Sequence, residues 1–313
     1  MSKILVIKHG ALGDVMLATA PFQAIRKHHA NDHITLLTTA PYAELLKTPG
    51  YFDEIWIDPR PRMSNPFAFF RLINRIRAGN FQRVYDLQTS ERTSWYFRLM
   101  RGAKPEWVGT VKGASHRHDS PERTKLHTVM RHKQQMAVAG IADLPRPDIS
   151  WLKTDVSHLR PTRPYAIIIP GGSSHRPGKR WPASHYAVLC EWLVARGVIP
   201  LLIGTEAESA VLSTIESICP QAVSLKGKTS FAELAELARH ALFTLGNDTG
   251  PMHLAAVAGS PCLVLFSNAS DPALCSPFGL NVHAMRREPL SDLPPEAVIR
   301  EIGKWLPGLA AAS

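Results

Sequence analysis

Four short stretches combine glycine with polar side chains where an apolar run gives way to a helical pattern. The first, Gly10-Ala-Leu-Gly-Asp14, brings a carboxylate to a helix start. Asp14 is there either an N-cap or a cleft-facing carboxylate able to act as a general base. Gly10 and Gly13 are spaced GxxG, so this is not the GxGxxG dinucleotide fingerprint. The second stretch is Pro170-Gly-Gly-Ser-Ser-His-Arg-Pro-Gly-Lys-Arg-Trp181. It is not a P-loop: five residues separate Gly172 from Gly178, and Arg180 stands where Ser or Thr would hold magnesium. Its hydroxyls (Ser173, Ser174) and cations (Lys179, Arg180) suit a diphosphate, although a proline-stiffened surface loop has the same composition. The third, Gly204-Thr-Glu-Ala-Glu208, puts carboxylates after a strand, where they can take ribose hydroxyls or simply favour a helix start. The fourth is Leu245-Gly-Asn-Asp-Thr-Gly-Pro-Met-His-Leu-Ala-Ala-Val-Ala258. Asp248 reads as its N-cap, with Thr249, Gly250 and Pro251 in the first turn and His253 one turn in. Unpaired amides at such a helix end attract an anion; an ordinary capped joint is the plainer alternative.

These stretches need rigid elements to hold them. Apolar runs predict strands over 3–8, 34–39, 54–58 and 83–88, alternating with helical spacing over 15–28, 42–46, 67–78, 93–100 and 126–139. A polar, basic segment over 109–123 reads as a mobile loop, and proline-rich 145–164 as a domain crossover. The alternation then restarts. Strands are expected over 165–169, 198–203, 222–225, 241–245 and 262–266, and helices over 184–196, 206–218, 231–239 and 293–306. This predicts an α/β protein of two doubly wound Rossmann-like domains, 1–160 and 161–313, facing across a cleft at the carboxyl ends of their sheets. The C-terminal helix is a candidate to pack back on the first domain.

Composition bounds the function. The 313 residues, 45% of them apolar, suffice for two cores. Cys190, Cys219, Cys262 and Cys275 form no CxxC pair and no zinc-ligand cluster, as expected of reduced thiols in a cytoplasmic protein. The apolar start is too short for a signal peptide, and no apolar run is long enough to span a bilayer. A formal net charge of +10 favours an anionic partner: a phosphorylated small molecule, an acidic membrane surface or nucleic acid. Aromatics are not interleaved with the basic runs, which argues against a nucleic-acid module. No Asp-x-Asp pair is present for a nucleotide-bound metal, so no metal and no cofactor are expected, and a leaving diphosphate would fall to lysine and helix ends.

Three of these stretches together carry a resemblance: Lys8-x-Gly-x-Leu-Gly-Asp-Val15, Gly171–Trp181 with its Lys-x-Trp, and Asn247-Asp-Thr-Gly-Pro-Met-His-Leu-Ala-Ala256. In this order and spacing the chain resembles glycosyltransferase family nine, the ADP-heptose:lipopolysaccharide heptosyltransferases and their relatives. The resemblance implies a GT-B fold and an inverting, metal-independent transfer of heptose from ADP-heptose, a co-substrate, to the Kdo/heptose inner core of lipopolysaccharide. It implies an acceptor site in the first domain and a donor site in the second. Asp14 then matches the catalytic base and Lys179 the lysine at the donor phosphates. Ser173 and Ser174 occupy the hydroxyl positions of that loop, Glu208 the ribose-binding carboxylate, and Asp248, Thr249, Gly250 and His253 the phosphate and sugar grip. Thr229 falls where heptosyltransferases I place a methionine near the adenine, which leaves another base open.

The implied partner is an anionic glycolipid, the lipid A-Kdo core, met by a cytoplasmic protein at the periphery of the inner membrane. Lys8, Gly13, Arg60, Arg62, Arg92, Arg117 and Arg123 are the acceptor-contact candidates on the basic first domain. A same-fold transferase using another sugar or acceptor, or an epimerase, is the alternative enzyme.

Overall fold

The computed structural model describes residues 1–60, 66–100, 102, 104–172, 178 and 180–310. The chain divides into two compact units, Met1–Trp151 and Leu152–Ser313.

Unit 1 contains β1 (Lys3–Ile7), α1 (Leu12–His28), β2 (His33–Thr38), α2 (Ala40–Ala43), β3 (Glu54–Ile57), α3 (Pro66–Ala78) and β4 (Arg83–Asp86). It continues with α4 (Glu91–Arg98), β5 (Glu106–Gly109), β6 (His116–Arg117) and α5 (Thr128–Val138). All its strands are parallel, in the order β3-β2-β1-β4-β5-β6. Central β1 is apolar at Ile4, Leu5, Val6 and Ile7 because both of its faces are covered. Segment 109–123, expected as a mobile loop, instead carries strand β6 and a short 3-10 turn, Pro121–Lys125. Two polar residues, His116 and Arg117, suffice for an edge strand because backbone bonds to Val108 and Gly109, not side-chain burial, hold them.

Unit 2 contains β7 (Tyr165–Ile169), α6 (Ala183–Val194), β8 (Ile199–Leu202), α7 (Ser209–Ile218), β9 (Val223–Ser224), α8 (Phe231–His240) and β10 (Thr244–Asn247). After it come α9 (Gly250–Ala258), β11 (Cys262–Phe266), α10 (Pro272–Cys275), β12 (Val282–Arg286), α11 (Pro295–Trp305) and α12 (Pro307–Ala310). Its sheet is also parallel, ordered β12-β11-β10-β7-β8-β9. Numbered within the unit, that is the same 3-2-1-4-5-6 arrangement, read from the other edge. In both sheets the winding reverses between the first and fourth strands, and ligands bind at the carboxyl ends flanking that point. Helix α11 buries Val298 and Ile302 in the core of this unit. Strand β10 lies three residues later than the apolar run 241–245 suggested. Gly246 makes this possible, since a Cβ there would stand 2.6 Å from the Ile169 carbonyl oxygen and 2.9 Å from Met252 Sδ.

Candidate functional site

At the reversal point of unit 1, β1 ends at Ile7 and the chain turns through Lys8, His9 and Gly10. Gly10 has φ +135, and a Cβ on it would meet the Tyr42 ring at 2.6 Å, so only glycine fits this turn. Helix α1 is capped by Ala11, which places Asp14 at its third residue rather than at the N-cap. Asp14 Oδ2 accepts the Ala11 N–H at 3.2 Å. Among the described residues its other oxygen has no protein partner, and the side chain is half-buried. Gly13 is buried in the first turn beside it.

Behind Asp14 lies a buried charge cluster. Lys8 is 4% exposed and its ammonium donates to the Leu87 carbonyl at 3.3 Å. Burial lowers its pKa, while the carboxylates of Asp14 and Asp86 pull the other way. Burial pushes the Asp86 carboxyl up to about 6 against the Thr89 and Gln88 amides that it accepts at 2.9 and 3.2 Å. His132 is driven down to about 3 by burial and by Lys8, so it stays a neutral ring.

Asp58, just past β3, is a second buried hub. It accepts from Tyr96 Oη at 2.5 Å and the Arg60 amide at 2.7 Å, with His9 Nε2 at 3.1 Å and Arg92 Nε at 3.4 Å. Burial alone would raise its pKa; the bonds from His9, Tyr96 and Arg60 and the charge on His9 outweigh it and hold the carboxyl well below the usual range.

Of the acceptor candidates, Lys8 and Arg60 follow strands β1 and β3, Arg92 stands at the start of α4 beside Asp58, and Arg123 lies in the 3-10 turn Pro121–Lys125. Arg92 also donates to Tyr96 Oη at 2.6 Å, and Arg123 to Thr89 Oγ1 at 3.0 Å. Arg117 stands apart on edge strand β6, paired with Asp119 at 3.3 Å. Arg62 lies outside the described residues.

At the reversal point of unit 2 the organising residue is Asn247, wholly buried at the end of β10. Its Oδ1 accepts from the Trp181 amide and Tyr186 Oη, both at 3.0 Å, and its Nδ2 donates to the carbonyls of Pro170 at 2.8 Å and Gly171 at 3.0 Å. One amide thus pins both ends of the 170–181 loop. The sequence reading passed over Asn247 as part of a turn. An amide side chain ending an otherwise apolar strand was the available signal. Ser173, Ser174 and Lys179 lie outside the described residues. Arg180 is described, and its Nη2 donates to the Gly172 carbonyl at 2.7 Å.

Beside this loop is a pocket of about 460 Å³, bounded by Gly171, Gly172 and Arg180 after β7, Gly204, Thr205, Ala207 and Glu208 after β8, Gly227, Thr229, Ser230 and Phe231 after β9, and Thr249 and Pro251 after β10. Glu208 Oε2 accepts the Thr205 amide at 2.8 Å and hydroxyl at 2.5 Å, so this carboxylate caps a 3-10 turn while bordering the pocket. The N-cap of α9 is Thr249, not Asp248 as expected. Because β10 runs on through Asn247, the helix starts later, and Asp248 precedes its cap and accepts from Ser270 Oγ at 2.7 Å. Thr249 supplies no side-chain cap among the described residues; Pro251 has no N–H and the Met252 amide donates to the Thr249 carbonyl at 3.1 Å, so Gly250, which opens the helix, offers the one unbonded first-turn amide among the described residues. His253 sits one turn in, 8% exposed. Apolar walls (Ile169, Ile203, Phe231, Leu234) with Glu208, Arg180 and a helix end at the margin suit a flat ring bearing hydroxyls and phosphates.

Among the described residues no three His, Cys, Asp or Glu side chains group as metal ligands, and no helix is long and apolar enough to cross a membrane.

Comparison with known proteins agrees with this architecture. Residues 69–296 match the sequence profile of Glycosyltransferase family 9 (heptosyltransferase). Over 34% of this chain and 32% of the relative, the sequence is 34% identical to Lipooligosaccharide heptosyltransferase 2 of Haemophilus influenzae. It is 27% identical to Lipopolysaccharide heptosyltransferase 2 of Salmonella typhimurium over 97% of this chain and 98% of that protein. The structure of E. coli ADP-heptose lps heptosyltransferase II superposes with a TM-score of 0.79 at 21% identity, covering 99% of this chain and 100% of that one, and the fold is GT-B. With a profile match that spans most of the chain, including every segment bounding the pocket of unit 2, the protein belongs to glycosyltransferase family 9 and is a glycosyltransferase.

Proposed function

We propose that this glycosyltransferase moves a heptose from ADP-heptose onto the Kdo/heptose inner core of lipopolysaccharide, with inversion and without a metal. The observation that carries the reading is the pocket of unit 2, in which Glu208, Arg180 and the N-terminal end of α9 at Thr249 and Pro251 border an apolar chamber. An adenosine fits its walls, with Glu208 Oε1 toward the ribose. The diphosphate then meets α9 at Thr249 and Gly250 and, from the 170–181 loop, Arg180, Ser173, Ser174 and Lys179. Asp248 and His253 are assigned to the sugar side. The relatives' names, lipopolysaccharide or lipooligosaccharide heptosyltransferases with ADP-heptose named in one, support this donor and class of acceptor.

In the reaction, Asp14 takes the proton of an acceptor hydroxyl as that oxygen attacks the anomeric carbon opposite ADP. The C–O bond to the diphosphate breaks with oxocarbenium character, its electron pair leaving on ADP, whose charge the N-terminal end of α9 and the cations of the 170–181 loop stabilise. Arg60, Arg62, Arg92, Arg117 and Arg123 are assigned to the anionic acceptor. Buried Lys8 acts on it through its charge, from behind Asp14. The glycolipid acceptor brings the enzyme to the cytoplasmic face of the inner membrane.

Asp14→Asn keeps an acceptor for the Ala11 amide but cannot take a proton. Transfer should fall about 10²–10⁴-fold with ADP affinity unchanged, measured by turnover and calorimetry. Full turnover in this variant refutes Asp14 as the base. Incubation with a panel of nucleotide sugars and truncated lipopolysaccharides, read by product mass, tests donor and acceptor. Thr229, on the pocket wall, makes a base other than adenine the alternative to examine in that panel.

A further inference from the structure

Helix α3 has two faces that do not match an ordinary surface helix. Phe69, Leu72, Ile73 and Ile76 point into the core of unit 1. On the outward stripe, at helical spacing, stand Phe67, 86% exposed, Phe70, 48% exposed, Arg71 and Asn74. Exposing two phenylalanines one turn apart has a cost in water that no described residue of unit 1 offsets. Along the sequence, the charge around α3 has a single sign. Between Asp58 and Asp86 the sequence carries Arg60, Arg62, Arg71, Arg75, Arg77 and Arg83 and no Asp or Glu. Arg71 is exposed and makes no ion pair among the described residues.

The place of α3 in the fold gives this stripe a direction. In a parallel sheet the helix after a strand starts at the strands' carboxyl edge. The N-terminal half of α3, with Phe67 and Phe70, therefore lies at the same edge of unit 1 as the start of α1 and Asp14.

We propose that the Phe67/Phe70/Arg71 face of α3 is a membrane-docking surface that inserts its aromatic rings at the headgroup level of an anionic phospholipid bilayer. Aromatic rings flanked by arginines and free of carboxylates suit an interface of acyl chains below and phosphates above. A second copy of the chain suits it poorly, because like-charged arginine stripes would face each other. This deepens the function proposed above by naming the surface that presents Asp14 to a membrane-held acceptor, and it rests on that reading for the identity of the acceptor.

The test uses flotation of the full chain with phosphatidylglycerol/phosphatidylcholine vesicles or with phosphatidylcholine vesicles alone. Wild type should bind the anionic vesicles preferentially and dissociate as salt is raised. Phe67→Ser/Phe70→Ser should weaken binding by about tenfold or more, and Arg71→Gln by about fivefold. Both variants should keep wild-type circular dichroism and wild-type transfer to a delipidated, soluble acceptor. The proposal is overturned if wild type stays off anionic vesicles, which would point to an acidic protein partner. It is equally overturned if the double-serine variant floats as wild type does. Absent transfer to the soluble acceptor in wild type would count against the proposed function alone, since vesicle binding is read without catalysis.

Discussion

Replacing Asn247 by alanine removes four hydrogen bonds from a site with no exposure to water. Two donors, the Trp181 amide and Tyr186 Oη, and two acceptors, the carbonyls of Pro170 and Gly171, lose their shared partner. At about 1 kcal/mol net per bond the loss is about 4 kcal/mol, and a water entering the vacated space would recover part of it. A destabilisation of about 3–4 kcal/mol is thus expected, a large share of the 5–15 kcal/mol that holds a typical domain together. Urea unfolding followed by tryptophan fluorescence should show the midpoint fall, Trp181 being a buried reporter beside the change. ADP affinity, measured by calorimetry below the unfolding range, should fall as well, because the 170–181 loop is no longer held at both ends. Asn247→Asp separates hydrogen bonding from volume. It keeps the two acceptor roles but turns oxygen lone pairs on the Pro170 and Gly171 carbonyls, and lowering the pH should partly rescue it, since a protonated carboxyl can donate once. An alanine variant within about 1 kcal/mol of wild type, with unchanged ADP affinity, would refute the argument.

Two further outcomes follow from single residues. Burial pushes the Asp86 carboxyl in the folded protein up to about 6, above the ordinary aspartate value of about 4, so the fold penalises its ionised form. Its contribution to stability is most favourable below about pH 4 and is lost as pH rises through about 6, up to about 3 kcal/mol in all. Asp86→Asn, whose carbonyl can still accept the Thr89 and Gln88 amides, should therefore raise the melting temperature at pH 8 and much less at pH 4; equal shifts at both would contradict the assignment. Gly246→Ala puts a Cβ 2.6 Å from the Ile169 carbonyl oxygen, between paired strands β7 and β10. It should cost roughly 1–3 kcal/mol or more in urea unfolding, and an unchanged midpoint would show that the strands separate more easily than their packing suggests.

The strands that carry the site were legible because they are buried on both faces. Runs such as Leu5-Val-Ile7 and Ala166-Ile-Ile-Ile169 admit no polar residue, and their alternation with helical spacing implies a parallel sheet. Edges β3 and β9 were legible, whereas edges β6 and β12 and the inner strand β5 were not. Strands β5, β6 and β12 are short or partly exposed, so backbone pairing decides them while hydropathy says little. The boundary at Asp248 was misplaced for a related reason: Gly246 and Asn247 have turn-like composition, yet close packing of Gly246 on Ile169 draws both into β10 and moves the cap to Thr249.

The site divides in the same way. The glycine turns, Asp14 at the start of α1 and Glu208 just past β8 are local features, set by residues a few positions apart, and the sequence alone was enough to place them there. Asn247 as a hub was beyond its reach, since its partners lie 61 to 77 residues away and only the β7–β10 pairing brings them within hydrogen-bond distance. Lys8 shows the same limit. Its type and place in the motif marked it as a contact for an anion, but the packing of β1 between β2 and β4 buries it behind Asp14. Charge and turn chemistry are written residue by residue; burial depends on which strands become neighbours, and that is decided only when the sheet closes around them.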